Sequence, residues 1–350
     1  MVRLMPETTG SMLAAVYQGQ RTISVEEVPV PEVGPHQVLL EVSHCGVCGT
    51  DLHMLYEDWG TPGSIAGHEY SGVVVQIGEA VEGWQVGDRA VGGPSRGCGE
   101  CRQCRAGRVN LCHDRPLTGV YPFVGAFARF KAVADHCLYR VPEALDLRTA
   151  ALTEPVAVAL RGVRKSKAAP GDRVLITGAG PIGVLSVAIL RTMGVTDITV
   201  SEPAPLRKEL ARRVGASDVI DPATLKEPAL PMEIVANPFH TAIECSGRSE
   251  ATEAALANLD LGATLVLSGT GMRRPRLDSN RVIINELTIS GTVEYTPADY
   301  ADSLALLASG RIPTDVLIEP DDLPLGGLQS ALARLSQGEI AGKVLVVPNA

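Results

Sequence analysis

The sequence predicts an α/β protein built from a doubly wound parallel sheet and a smaller β-rich unit. Three observations point there. The 350 residues are too many for one ordinary core and suit two domains, and 45% of them are hydrophobic, enough to bury both. The texture changes after Glu154, from short β-branched runs between turns to strands alternating with helices. A glycine-rich turn, Gly178 to Gly183, stands between the first of those later strands and a helix.

Residues 1–11 read as a short extension, and the first strand pattern begins near Met12. Strand runs follow at Thr22 to Val28, Gln37 to Val42, Gly72 to Ile77 and Arg89 to Val91, with turns at Glu82-Gly83 and Gly87-Asp88. Beyond Glu154, Val156 to Lys165 reads as a helix and Arg173 to Thr177 as a buried strand. The helix opened by the glycine turn runs to about Met193. Strand Asp197 to Ser201, helix Pro205 to Val214, and strands Asp218 to Ile220 and Thr241 to Glu244 come next. Helix Ser249 to Asn258 and strand Ala263 to Leu267 complete the alternation. Helices around Ala298 to Ala308 and Leu328 to Leu335 lead to a last strand, Lys343 to Val347.

Charge and composition exclude several classes. A formal net charge of −9 argues against a nucleic-acid partner. The short basic cluster Arg161 to Lys167 is expected to be a solvated helix face. No apolar run reaches the length of a membrane span, and the first residues lack an apolar signal core, so a cytoplasmic protein is expected. In that setting, clustered cysteines mean metal or redox chemistry more often than disulfides.

Gly178-Ala179-Gly180-Pro181-Ile182-Gly183 fits G-x-G-x-x-G, with the strand VLIT before it and Glu202 at the end of the next strand. Gly178 makes the tight turn, Gly180 lets backbone approach a pyrophosphate, and Gly183 permits close helix–strand packing. The helix N-terminus offers free N–H groups to the phosphates. Glu202 can accept the adenosine ribose hydroxyls and would repel a 2′-phosphate, so NAD(H) is expected over NADP. Arg207 lies close enough in sequence to join that site.

Of the chain's eight cysteines, four form Cys98-x2-Cys101-x2-Cys104-x7-Cys112. Four thiolates at that spacing can close a structural tetrahedral Zn2+ site with no open position; disulfides and an iron–sulfur cluster are the alternatives. A second constellation is mixed. Cys48, within Gly46-Val47-Cys48-Gly49-Thr50-Asp51-Leu52-His53, is followed by His68-Glu69 and then by Glu154-Pro155. Thiolate, imidazole and carboxylate together suit a Zn2+ that keeps one place for water or substrate. Cys45, Cys137 and Cys245 read as small buried hydrophobes, and His36, His44, His113, His136 and His240 as packing or surface residues.

The Cys48 to His53 stretch, the Gly67-His68-Glu69 run through Gly72 to Gly78, the four-cysteine segment and the glycine turn appear in one order that resembles the zinc-containing medium-chain alcohol dehydrogenase/reductase family. Glu154-Pro155 is more similar to its polyol (sorbitol-like), threonine, butanediol and glucose dehydrogenases than to liver-type enzymes, which place a cysteine there. The resemblance implies a GroES-like catalytic domain over residues 1–157 and 296–350 and a Rossmann domain over 158–295. It implies two Zn2+ per subunit and NAD(H). Cys48 and His68 match catalytic zinc ligands, and Glu69 and Glu154 share the remaining ligand role, which of them binds directly being left open. Asp51 matches a carboxylate that orients the histidine, Thr50 and His53 a proton relay running across the nicotinamide ribose, and Lys343 a pyrophosphate contact. Arg161 departs from the histidine many relatives carry.

The implied reaction is zinc-assisted deprotonation of an alcohol with hydride transfer to nicotinamide, or its reverse. The alternatives are a biosynthetic ketone reductase and a non-enzymatic zinc- and NAD-binding sensor. The expected partner is a small alcohol or ketone, with no nucleic acid and no membrane. A homodimer or homotetramer, joined through the nucleotide domain, is implied by the resemblance. Leu55, Trp59, Tyr121, Phe123 and Tyr295 are expected to face the substrate pocket, with Pro94 and Ser95 leaving room there.

Overall fold

A computed structural model describes residues 8–57, 59–93, 97–114 and 123–350. The N-terminal part is built from β1 (Ser11–Gly19), β2 (Thr22–Pro29), β3 (Gln37–Gly46), α1 (Gly49–Tyr56), β4 (Glu69–Ile77), β5 (Arg89–Gly92), α2 (Arg102–Arg105), β6 (Phe130–Ala134), β7 (Leu138–Arg140), α3 (Leu147–Ala150) and α4 (Thr153–Ser166). The alternating part holds β8 (Arg173–Thr177), α5 (Pro181–Thr192), β9 (Asp197–Ser201), α6 (Pro205–Arg213), β10 (Asp218–Ile220), β11 (Phe239–Glu244), α7 (Ser249–Ala257), β12 (Leu259–Leu267), α8 (Ser279–Ile284) and β13 (Thr288–Gly291). The chain ends with α9 (Pro297–Ala308), α10 (Thr314–Leu317), α11 (Leu328–Ser336) and β14 (Leu345–Val346).

The two textures become two sheets. The order β10-β9-β8-β11-β12-β13 is parallel throughout, and its central strands β9, β8 and β11 are buried by crossover helices and read as nearly continuous apolar runs. Strand order reverses between β8 and β11, where a doubly wound sheet opens its crevice. The other sheet, β14-β3-β4-β5-β7 with β6 on β3, is antiparallel, and β1 pairs with β2 beside it. The expected last strand is shorter than the sequence suggests. Only Leu345 and Val346 pair with β3, at Gly46 and Cys45, which returns the C-terminal chain to the strand leading into Cys48.

One apolar core gathers around α4 and α5 and reaches α9 and α10 through Tyr300, Leu304, Leu307 and Leu317. A second fills the antiparallel unit around β1, β3, β4 and α11. α5 is buried from Gly183 through Leu190 because it is enclosed on several sides, which explains its nearly unbroken apolar sequence. The basic residues of α4 correct an expectation in part. Arg164 and Lys167 are exposed as expected, but Arg161 and Arg164 also reach Asp299 of α9 at 3.0 and 2.7 Å, and Lys165 bonds Ser290 and Gly291 at 3.0 and 2.7 Å. Long cationic side chains can lie along a neighbouring element while part of their surface stays in water, so the cations of α4 also clamp its neighbours. The sequence reading assigned no element to β13 or α8; β13 is a four-residue, partly exposed edge strand with one large apolar residue, Ile289.

Candidate active site

Cys48 lies just before α1, where its backbone N–H donates to the Asp51 carboxylate at 2.8 Å. This N-cap arrangement fixes the sulfur's backbone while its side chain stays available. His68 and Glu69 enter at the head of β4. The preceding Gly67 has φ +92°, and a Cβ there would stand 2.8 Å from both the Cys45 sulfur and the Phe127 amide, so only glycine makes this turn. Ligand atoms of Cys48, His68 and Glu69 lie within 4.8 Å of one another. Sulfur, imidazole nitrogen and carboxylate oxygen at that spacing fit the donor set of a Zn2+ site with an open position.

The electrostatics also fit a cation. His68 keeps accessible surface. Burial disfavours its charged form. The Cys48 thiolate, with its hydrogen bond, and the Glu154 and Asp51 carboxylates outweigh that and push the imidazole well above its ordinary value. Asp51, 3% exposed, is driven above the usual carboxylate range by burial, against the pull of His68 and the Cys48 amide. Glu154 opens α4 at 8% exposure. Burial pushes its carboxyl up to about 7, with His68 pulling it down and Glu69 adding to the rise, while the Tyr295 side chain hydrogen-bonds it. Glu154 stands near the three clustered residues without joining the group within 4.8 Å.

Lys343 corrects the sequence reading. It was expected at a pyrophosphate, yet it is 4% exposed. Its Nζ donates to both Glu69 oxygens at 2.8 and 2.7 Å and to the Val47 carbonyl at 2.9 Å. An ammonium carries three donors, and all three are used here, so none remains for a phosphate. The Val47 amide bonds the Val344 carbonyl at 3.0 Å, and this return of the chain sets Lys343 beside Glu69. Leu55 is a second correction. It is fully buried in the core of the antiparallel unit and does not face a pocket.

Thr50 and His53 both ride on α1. The Thr50 hydroxyl is 3.6 Å from the Cys48 sulfur. His53 Nδ1 meets Glu57 at 2.8 Å, and its ring stacks on Trp59 with centroids 4.6 Å apart. Phe123 is partly buried against the core, and Tyr295 is 7% exposed. Tyr121, Pro94 and Ser95 lie outside the described residues.

The glycine turn sits at the sheet's reversal point. Gly178 has φ +90°, and a Cβ there would meet Ser246, just past β11, at 2.8 Å. At Gly183 a Cβ would meet the Gly178 carbonyl at 1.9 Å, whereas Gly180 faces open space. Gly180 caps α5 without a side-chain bond and Pro181 occupies the first turn, while Ile182 packs partly against the core. A helix of twelve residues thus presents its N-terminus over a glycine that leaves room for a phosphate. Glu202, 4% exposed at the end of β9, accepts the Ala179 and Ala204 amides at 2.8 and 2.9 Å, which holds its carboxylate beside the turn. Arg207 reaches the Leu335 carbonyl near the end of α11 at 3.4 Å.

The four cysteines also converge, their sulfurs within 4.8 Å of one another. Backbone amides of Cys98, Cys101, Cys104 and Asp114 donate to sulfurs of the cluster at 3.3 to 3.4 Å. Such donation favours the thiolate, the form that binds metal. Asn110, buried within this lobe, donates to the Val293 carbonyl at 2.9 Å and ties it to the loop carrying Tyr295.

Sequence reasoning missed three partners: Lys343 for Glu69, Tyr295 for Glu154, and Glu57 for His53. Only the last left a local signal, a carboxylate four residues beyond the histidine on one helix face.

Residues 34–143 match the model of the alcohol dehydrogenase GroES-like domain, and residues 181–309 that of the zinc-binding dehydrogenase. Sorbitol dehydrogenase of Bacillus subtilis (strain 168) is 33% identical, covering 97% of this chain and 98% of its own. The solved 2R,3R-butanediol dehydrogenase of Bacillus subtilis superposes with a TM-score of 0.85 at 30% identity over 97% of this chain and 100% of that one. A Sinorhizobium meliloti 1021 chain described as a zinc-binding dehydrogenase, bound to NADP, gives 0.86 at 32% identity, again over 97% and 100%.

Proposed function

This chain belongs to the zinc-containing medium-chain alcohol dehydrogenase family, and from that membership we propose that it moves hydride between NAD(H) and a secondary alcohol or ketone of the polyol, sugar, diol or amino-alcohol class. The observation that carries the reading is the gathering of Cys48, His68 and Glu69 donors within 4.8 Å, with Glu154 beside them at the start of α4. α4 packs along α5, the helix that the glycine turn opens, so one element links the metal cluster to the nucleotide turn.

Cys48 and His68 would hold the catalytic zinc, with Glu69 and Glu154 sharing the remaining protein-ligand role. Cys98, Cys101, Cys104 and Cys112 hold the structural zinc. Zinc supplies Lewis acidity toward the substrate oxygen, and the nicotinamide supplies the hydride acceptor or donor. Thr50, its hydroxyl beside the Cys48 sulfur, takes the substrate proton and passes it toward His53. Asp51 fixes the backbone at Cys48 and faces His68 electrostatically. Gly178, Gly180, Pro181, Ile182 and Gly183 form the pyrophosphate turn.

Glu202 favours NAD(H), although the Sinorhizobium relative binds NADP. Residues 1–157 with 296–350 form the catalytic domain and 158–295 the nucleotide domain, with α4 as their shared spine. The chain works in the cytoplasm, where four clustered thiols stay reduced for metal; no helix among the described residues is long and apolar enough to cross a membrane. It forms a homodimer or homotetramer through the nucleotide domain. The edge strand β13 and the exposed Ile283, Ile284 and Val293 near it support that reading. Light scattering at the mass of a single chain would refute it.

The test is an absorbance screen of zinc-loaded protein with NAD and NADP over polyols, sugars, diols, amino alcohols and simple secondary alcohols. Turnover with one of these classes and NAD is expected. Failure of every class in both directions, with zinc found only at the four cysteines, would favour a sensor.

A further inference from the structure

We propose that Glu57 is a positioning residue for proton transfer, acting through His53; the inference rests on the reading that Thr50 and His53 carry the substrate proton. α1 ends at Tyr56, and its 3.6-residue turn puts positions 53 and 57 on one face. His53 Nδ1 and a Glu57 carboxylate oxygen are 2.8 Å apart. The contact is braced from two further directions. The Glu57 and Trp59 amides both donate to the His53 carbonyl, at 2.9 and 3.5 Å, so the chain folds back over this residue as the helix ends. The Trp59 ring lies against the imidazole with planes inclined by 21°, which restrains its rotation.

The chemistry then follows from the donor inventory. An ionised carboxylate only accepts hydrogen bonds, so the proton between Nδ1 and Glu57 belongs to the imidazole. A neutral ring protonated at Nδ1 has its lone pair at Nε2, and Nε2 is the base. The transfer balances simply. One proton arrives at Nε2 to give an imidazolium, the Nδ1–H bond to Glu57 stays intact, and the same proton departs to water from a side chain that keeps 22% of its surface exposed. Glu57 faces the cation with a fixed negative charge and takes no proton itself, the part an aspartate plays behind a catalytic histidine.

Placement supports a purpose beyond surface pairing. A carboxylate at the C-terminal end of a helix opposes the helix dipole, so the position is unfavourable unless its partner compensates. The competing account is an ordinary exposed pair, which contributes little to anything.

The experiment uses the zinc-loaded enzyme and the alcohol found in the screen above. Glu57→Ala removes acceptor and charge, and Glu57→Gln keeps an acceptor without charge. kcat for oxidation is expected to fall by about tenfold in Glu57→Ala and by less in Glu57→Gln, less than the roughly 10²–10⁴-fold contributed by a general acid or base itself. KM for NAD should stay within about twofold, since no cofactor contact is assigned to Glu57. Added imidazole should raise kcat both in Glu57→Ala and in His53→Ala, and Glu57→Ala should cost nothing further in a His53→Ala background. Unchanged kcat in Glu57→Ala, or a full additional loss in the double variant, would overturn the proposal. If His53→Ala itself turned over normally, the relay reading would fall as well. If His53→Ala lost activity and Glu57→Ala did not, only the role of Glu57 would fall.

Discussion

The four-cysteine lobe and the Cys48 cluster gather metal donors in opposite ways. In the lobe all four sulfurs come from residues 98 to 112, and neighbouring backbone amides hold them at 3.3 to 3.4 Å. Cys98 is exposed, and only Cys112 of the four is buried. At the Cys48 cluster the donors come from the start of α1, the head of β4 and the start of α4, and Lys343 arrives from 274 residues beyond Glu69. Around them Cys45, Val47 and Leu55 are nearly or fully buried. The lobe therefore depends on its metal for shape, because little apolar surface backs it. The cleft cluster is shaped by the core and depends on its metal for chemistry.

Paired substitutions test that contrast most strongly. Cys48→Ala is expected to lower kcat by ~10³-fold or more, since a Lewis acid contributes several kcal/mol at about 1.4 kcal/mol per tenfold. NAD binding and one zinc per subunit should remain by fluorescence titration and elemental analysis; turnover at the normal rate would end the zinc reading. Cys101→Ser should act in the other sense, lowering Tm by roughly 5–10 °C through lost metal-coupled folding. Its remaining folded fraction should keep a near-normal kcat. An unchanged Tm would show that the lobe holds itself without metal.

Lys343→Met sharpens the ligand question. Removing one partner of a buried ion pair costs about 3–5 kcal/mol, and urea unfolding in chelator should read that loss. With zinc restored, the loss should shrink if Glu69 turns to the metal. Equal losses in both states would instead make Glu154 the ligand. The smallest effect belongs to the other locally encoded site. Glu202→Ala should narrow NAD preference over NADP by roughly 10- to 100-fold, the value of one or two charged hydrogen bonds to ribose. An unmoved ratio of kcat/KM values would remove Glu202 from cofactor choice.

The same division separates what could be read in the chain from what could not. The glycine turn was legible because its demands are local. Gly178 combines a positive φ with a 2.8 Å approach to Ser246, and a Cβ at Gly183 would stand 1.9 Å from the Gly178 carbonyl, so each position favours glycine. The central parallel strands were legible as apolar runs, whereas β13, Thr288–Gly291, was not, because Ile289 is its single large apolar residue. Arg161 reads as solvated because nothing near it in sequence announces Asp299, which α9 brings against α4. Glu57 stood in plain view as a residue four beyond His53, but it acquires meaning only once residues 49–56 are known to be helical.

By itself the sequence determined the two textures, the pyrophosphate turn and the sulfur lobe, since spacing over a few residues fixes backbone geometry there. Tertiary structure alone decided which groups stand beside Cys48 and His68, and that the ammonium of Lys343 is spent on Glu69. The physical reason is closure: β14 must pair with β3 before residues at opposite ends of the chain share one dielectric and one set of hydrogen bonds.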